Sequence, residues 1–233
     1  MAQQHTDGVT EDPPGDPLEP SRWRRGEDPE FTRPATFTDG VYAIALTLLV
    51  LGIRVEGLRD PDSPTAMWHA LDALIPDLIA FAIAFVLLGR YWMAHHDFYS
   101  TLGAIDRGLV GLTLVYLIFV AFLPFPTSLV GEYESNPVSV LVFALVLSGI
   151  SGMETAMFVH AHRRRLLRVP LSPAMFRWGV MASLQPVAVF LVTMPFAYLS
   201  STGVLLSWAV LFTLLNRLTR RFAPDAVRNE SGA

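Results

Sequence analysis

Residues 33–53 read RPATFTDGVYAIALTLLVLGI. The apolar run from Val41 to Ile53 is short against the roughly 20 residues of a spanning helix, and Asp39 stands two residues before it. Pro34 suits a first helical turn, where its missing N–H leaves no hydrogen bond unmade. A carboxylate at the edge of a membrane segment is costly without a partner. Arg33 is six residues from Asp39, about 600° of helix or 240° round the axis, so the two point to different faces. Partners for both are therefore expected on neighbouring helices. The polar cluster His95, His96 and Asp97 closes the second apolar segment on the same side. Further along, Ile44, Leu48 and Leu51 fall at i, i+4 and i+7, one apolar stripe with Thr47 beside it. Periodicity alone leaves open whether the stripe packs on other helices, meets lipid or lines a space.

Outward from this segment, five more apolar stretches follow, approximately 68–93, 107–130, 138–161, 174–199 and 203–221. Of 233 residues 52% are hydrophobic and 16% charged, with a mean hydropathy of +0.41. Soluble domains carry about 25% charge, so this is a membrane composition. There is no cysteine, which excludes disulfides, thiolate metal sites and a cysteine nucleophile. All 17 basic residues are arginine, which excludes P-loop lysine and Schiff-base chemistry. A net charge of −4 gives no overall attraction to nucleic acid.

Residues 1–30, rich in Pro, Gly, Asp and Glu, read as a disordered tail that is not a cleavable signal. Residues 31–222 form the transmembrane domain, and 223–233 a short C-terminal tail. Fifteen of the 17 arginines fall in the N-terminal tail, the second and fourth connections and the C-terminus, leaving only Arg54 and Arg59 opposite. The positive-inside rule then predicts an all-α, polytopic, multi-pass protein of the inner (plasma) membrane with six transmembrane helices and both termini cytoplasmic.

The first segment resembles the signature of the transmembrane-protein-175 family, the endolysosomal potassium channels and their shorter bacterial relatives. That pattern is Arg, three residues, Phe-Ser-Asp, then a helix like GVFAIAITLLVL. Here it is met by Arg33, Phe37, Thr38, Asp39 and Gly40 to Leu51, with threonine keeping the hydroxyl of serine. YWMAHHDFY (Tyr91 to Tyr99) and FLPFPTSLVGEY (Phe122 to Tyr133) resemble the family as well. The resemblance implies a potassium-selective cation channel, a homotetramer whose first helices line the pore. It places Ile44, Leu48 and Leu51 on the pore, with Thr47 as polar neighbour and Ile44 as the tightest ring of a hydrophobic gate. It also implies a supporting network of Arg33, Phe37, Thr38 and Asp39 joined by His95 or His96. No TVGYG-type filter is present.

The remaining candidates weigh less. His95-His96-Asp97 lacks an i+4 ligand, so hydrogen bonding is favoured over metal, and no cofactor is expected. Asp77 and Glu154 are intramembrane carboxylates that suit proton relays or ion sites; otherwise Asp77 sits at the interface, and Glu154 pairs with a cytoplasmic-side arginine or faces a crevice. Ser148, Gly149, Ser151 and Gly152 make a small-residue packing face. Arginines 163–168 read as a topology signal near anionic headgroups. No hydrolase motif is visible, so an enzyme is not expected. The rival readings are a proton-coupled transporter or proton leak, and a non-conducting assembly or sensing module.

Overall fold

The structure is a computed structural model, described for residues 22–26, 28–55, 60, 62–133 and 135–221. The eight α-helices among the described residues are α1 (Arg33–Leu49), α2 (Pro64–Ala73), α3 (Ile75–Ser100), α4 (Arg107–Phe122), α5 (Pro124–Glu132), α6 (Pro137–Arg163), α7 (Pro173–Thr193) and α8 (Ser201–Arg221). Among the described residues, five helical stretches are long and apolar enough to cross a membrane: Pro29–Gly52, Ile75–Ser100, Arg107–Glu132, Pro137–Arg163 and Pro173–Tyr198. A shorter apolar stretch, Gly203–Thr219, lies within α8.

Proline and capping side chains set most of the breaks. Ser63, Asp106, Asn136 and Ser172 each cap a following helix by accepting a backbone N–H. Proline occupies the first turn of α2, α3, α5, α6 and α7, where no intrahelical N–H is needed. Two expected boundaries are corrected by this chemistry. The second apolar segment is two helices, because Pro76 starts a new one after Leu74, so the long span begins at Ile75 and runs on to Ser100. The third divides at Leu123, because Pro124 and Pro126 cannot donate to the turn before them.

The expected tail also begins differently. Residues 1–21 and 222–233 lie outside the described residues, but Arg22–Arg24 form strand β1, antiparallel to β2 (Ala104–Asp106), with Trp23 opposite Ile105. Arg25 then caps the end of α3, donating to the carbonyls of Tyr99 at 2.6 Å and Leu102 at 2.9 Å. Its guanidinium also lies 4.8 Å from the ring centre of buried Phe31. Paired backbone and a capping arginine order this stretch despite its polar composition.

At the same end of the bundle the connection after α6 is stitched to the connection after α3. Gly103 and Ala104 donate to the Leu166 carbonyl, and Arg168 donates to Thr101. α6 ends in a Schellman motif, with Leu166 N–H on Ala161 O and Arg165 N–H on His162 O. Arg165 takes the left-handed position of that motif at φ 55°.

α6 is the centre of the protomer and α1 stands at its edge: 56% of the apolar window of α6 is buried, against 22% in the first span. Phe143, Leu147, Ile150 and Met157 of α6 close the core with Leu109 and Tyr116 of α4 and Leu88 of α3. In lipid such contacts gain by close packing rather than by leaving water. Gly131 shows this at its tightest, since a Cβ there would lie 2.9 Å from the Asp77 Cα on α3. Half of the small-residue face of α6 is used as expected: Gly149 takes the Phe119 ring and Ser151 bonds the Tyr91 hydroxyl at 2.6 Å, whereas nothing lies within 4 Å of a Cβ at Gly152.

Candidate functional site

α1 presents two faces. Thr38, Tyr42, Ala45 and Leu49 recur at helical spacing and are buried in the protomer. About 120° round the axis, a second column runs through Phe37, Ile44 and Leu48 and continues to Leu51 in the 3₁₀ turn Val50–Gly52 that extends the helix. Its side chains stay 56%, 61%, 41% and 61% exposed in the single chain. The predicted stripe of Ile44, Leu48 and Leu51 therefore stays outside the buried core formed by the described residues. Thr47, also exposed, donates its hydroxyl to the Ile44 carbonyl at 2.8 Å, which leaves its oxygen free to accept.

The expected support residues divide. Asp39 accepts the Trp92 indole N–H at 2.8 Å, tying α1 to α3. The predicted partner on α3 was a histidine; the indole lies one turn nearer the middle of the helix and reaches the carboxylate first. Arg33 pairs with Glu30 at 2.8 Å and touches neither Asp39 nor a histidine. Six residues of helix hold it on another face, and Glu30, from the short 3₁₀ turn Pro29–Phe31, is closer. Phe37 belongs to the exposed column rather than to a polar network. Thr38 is fully buried, and its hydroxyl has no partner among the described residues.

The two histidines have different fates. His96 is exposed, its ring 5.7 Å from that of Trp92. His95 is 4% exposed and stacks on Tyr116 at 5.0 Å with the rings 12° apart. Neither of its ring nitrogens has a hydrogen-bond partner among the described residues.

A polar chain that sequence reasoning did not assemble runs beside His95. The Tyr116 hydroxyl donates to Glu154 Oε1 at 3.3 Å and is also bonded to the Tyr42 hydroxyl. Tyr116 has one proton to give, so Tyr42 donates to Tyr116. The chain thus passes from α6 through α4 to the buried face of α1. Glu154 was legible as an intramembrane carboxylate, but Tyr42 and Tyr116 read as ordinary aromatics of apolar helices. Glu154 faces a crevice, one of its two expected settings. Asp77 sits in the first turn of α3 against Gly131.

A second missed cluster lies where the short sheet meets α4. Asp106 is 2% exposed, caps Leu109 N–H at 2.7 Å, and has His160 Nε2 at 2.9 Å and Arg164 Nε at 3.4 Å. Burial pushes this carboxyl up, but the Leu109 amide, His160 and Arg164 outweigh it and hold the group below its ordinary value.

Fold and site together define a polytopic helical membrane protein whose first helix turns an uncovered apolar column outward. The family model described as endosomal/lysosomal potassium channel TMEM175 matches residues 33–124. A potassium channel of Streptomyces collinus is 36% identical over 138 residues, 58% of this chain and 66% of that one. A potassium channel of Chamaesiphon minutus is 33% identical over 138 residues, 58% of this chain and 68% of that one. The chain thus spans about two thirds of the length of these curated relatives. The crystal structure of a lysosomal potassium-selective channel TMEM175 homolog from Chamaesiphon minutus superposes with a TM-score of 0.67 at 28% identity, covering 79% of this chain and 97% of that one. The protein belongs to the TMEM175 family.

Proposed function

We propose that the protein is a potassium-selective cation channel that works as a homotetramer, with α1 of each protomer lining a central pore. The observation that carries this reading is the exposed column of Ile44, Leu48 and Leu51 on a helix otherwise anchored in its protomer. Membership of a family whose bacterial relatives include named potassium channels supports it. Four such columns facing one axis make rings of apolar side chains, and a narrow apolar constriction closes by dewetting. Ile44 forms the tightest ring, and Thr47 offers an acceptor oxygen one turn away.

The supporting network consists of Asp39 with Trp92, the buried Thr38 beneath the same turn, and His95 rather than exposed His96 as the interior histidine. Arg33, paired with Glu30, and the outward-facing Phe37 stand on the same helix outside these contacts. The arginine distribution supports six spans with both termini cytoplasmic in the inner membrane, and residues 31–222 as the channel domain. α8, 21 residues or about 31 Å, is the sixth span.

The test is ion flux from liposomes holding the purified protein, comparing potassium, sodium and an impermeant cation. Potassium-preferring flux whose rate or selectivity changes in Ile44→Asn and Leu51→Asn supports the channel. Absence of flux in a correctly folded oligomer, with both variants silent, refutes it. Saturable flux that requires a pH gradient identifies instead a proton-coupled transporter, the reading favoured by the hollow beside Glu154.

A further inference from the structure

Between α3, α6 and α7 lies a hollow of about 160 Å³, lined by Ala94, His95 and Phe98, by Glu154, Met157 and Phe158, and by Gly179 and Ser183. It exists because α7 comes close to α6 without filling the space: a Cβ on Gly179 would lie 2.7 Å from the Phe158 ring. Two ionisable side chains from different helices meet at this hollow. His95 is nearly fully buried, yet both its ring nitrogens lack partners among the described residues. A buried imidazole with neither nitrogen bonded is costly unless water reaches it. Water needs roughly 10–15 Å³ of such space per molecule and two to four polar partners. The hollow has room for several, and its polar lining of His95, Glu154 and Ser183 supplies the partners.

We propose that this hollow is a water-filled proton-binding site, in which His95 and Glu154 share water and from which the Tyr116–Tyr42 chain runs to α1. Its ligand is a proton held on water between an imidazole and a carboxylate, groups that both exchange protons in aqueous chemistry. The groups around it are few. From α3, Tyr91 faces Glu154, while His96 and Tyr99 lie beside His95. From α1 come Asp39, acting on His95, and Tyr42, acting on Glu154. From α4 comes Tyr116, which bonds Glu154 and stacks on His95. α7 contributes only Gly179 and Ser183 to the lining, neither of them titratable. No arginine lines the hollow, so among its lining residues no fixed positive charge holds Glu154 ionised. When Glu154 gains or loses a proton, the acceptor of the Tyr116 hydroxyl changes character, and Tyr42 feels it at the next bond. Tyr42 sits on the same turn of α1 as Ala45 and three residues before it, on the face opposed to Ile44. The site is independent of whether α1 lines a pore.

Infrared spectroscopy of the full-length protein in lipid bilayers, titrated between about pH 4 and about 9 to bracket the ordinary ranges of carboxylate and imidazole, tests this directly. The expected result is a protonated-carboxyl C=O stretch that grows on acidification, shifts in D2O and is missing in Glu154→Gln. Tyr116→Phe removes a donor to the ionised form and is expected to displace the midpoint of that band by about one pH unit. His95→Asn is expected to displace it too, through the shared water. A band unchanged by Glu154→Gln overturns the proposal. So does a midpoint unmoved by both Tyr116→Phe and His95→Asn in folded protein. Wild type against the isosteric Glu154→Gln decides proton binding even where His95→Asn fails to assemble. None of these readouts uses conduction, so failure of the channel reading leaves the result intact.

Discussion

Trp92 on α3 and Asp39 on α1 are joined by an indole N–H to carboxylate hydrogen bond of 2.8 Å. Asp39 lies on neither the buried face nor the outward column of α1, so this bond fixes the helix's rotation about its own axis. Rotation matters here because the buried residues Thr38, Tyr42, Ala45 and Leu49 and the exposed Ile44 and Leu48 are all carried by one helix, with Leu51 on the 3₁₀ turn that extends it. A turn of the helix would exchange them.

Breaking that bond is expected to loosen α1. Trp92→Phe and Asp39→Ala should each cost about 1 kcal/mol, below the roughly 1.5–3 kcal/mol of a hydrogen bond to a charged group because the pair is exposed. The double variant should cost little more than either single one, giving a coupling of the same size. Thermal unfolding in detergent of the four proteins measures it, and strict additivity would show that the bond contributes nothing.

Close approach at Gly131 should tolerate no side chain. Gly131→Ala forces its new methyl against the Asp77 backbone and is expected to cost about 1–3 kcal/mol, the usual range for overpacking. Gly152→Ala is the control, because nothing lies within 4 Å of a Cβ there. Lacking the entropy cost of glycine in a helix, it should gain roughly 0.5–1 kcal/mol. Melting temperatures of the two variants should move in opposite directions.

Acid should weaken the junction at Asp106. Its carboxyl lies below the ordinary value in the folded chain, so the stabilisation is complete above the unfolded-state value. It is lost as pH falls through the lower folded-state value, that is, progressively below about pH 4. Asp106→Asn keeps an N-capping side chain but has no charge to lose. Its melting temperature should be lower than that of the wild type at neutral pH, and the two curves should converge on acidification. A gap that persists unchanged into acid would refute the linkage.

At the end of α6, Arg165 holds a left-handed backbone that side-chained residues adopt at a cost of roughly 1–2 kcal/mol. Glycine has no such cost, so Arg165→Gly is expected to raise stability by about 1 kcal/mol with the Schellman bonds unchanged. Its melting temperature decides; a fall would mean that the arginine side chain contributes more than the strain it carries.

The sequence by itself determined what depends on local spacing. Long apolar runs specify helices of membrane length. Prolines and small polar caps such as Ser63 and Ser172 mark where those helices start. The i, i+4, i+7 recurrence of Ile44, Leu48 and Leu51 put them on one face of α1. Only the tertiary structure decided what each face meets, because the same periodicity serves a core, a lipid surface or a pore. It chose Trp92 over a histidine for Asp39, Glu30 for Arg33, and the interior for His95 while His96 stays outside. Adjacent residues on α3 point about 100° apart, so packing against α4 can bury only one of that pair. The Tyr42–Tyr116–Glu154 chain draws one residue from each of three helices. No spacing along a chain encodes such a meeting; it arises where α1, α4 and α6 cross, and there the hydroxyls of Tyr42 and Tyr116 find partners in one another and in Glu154.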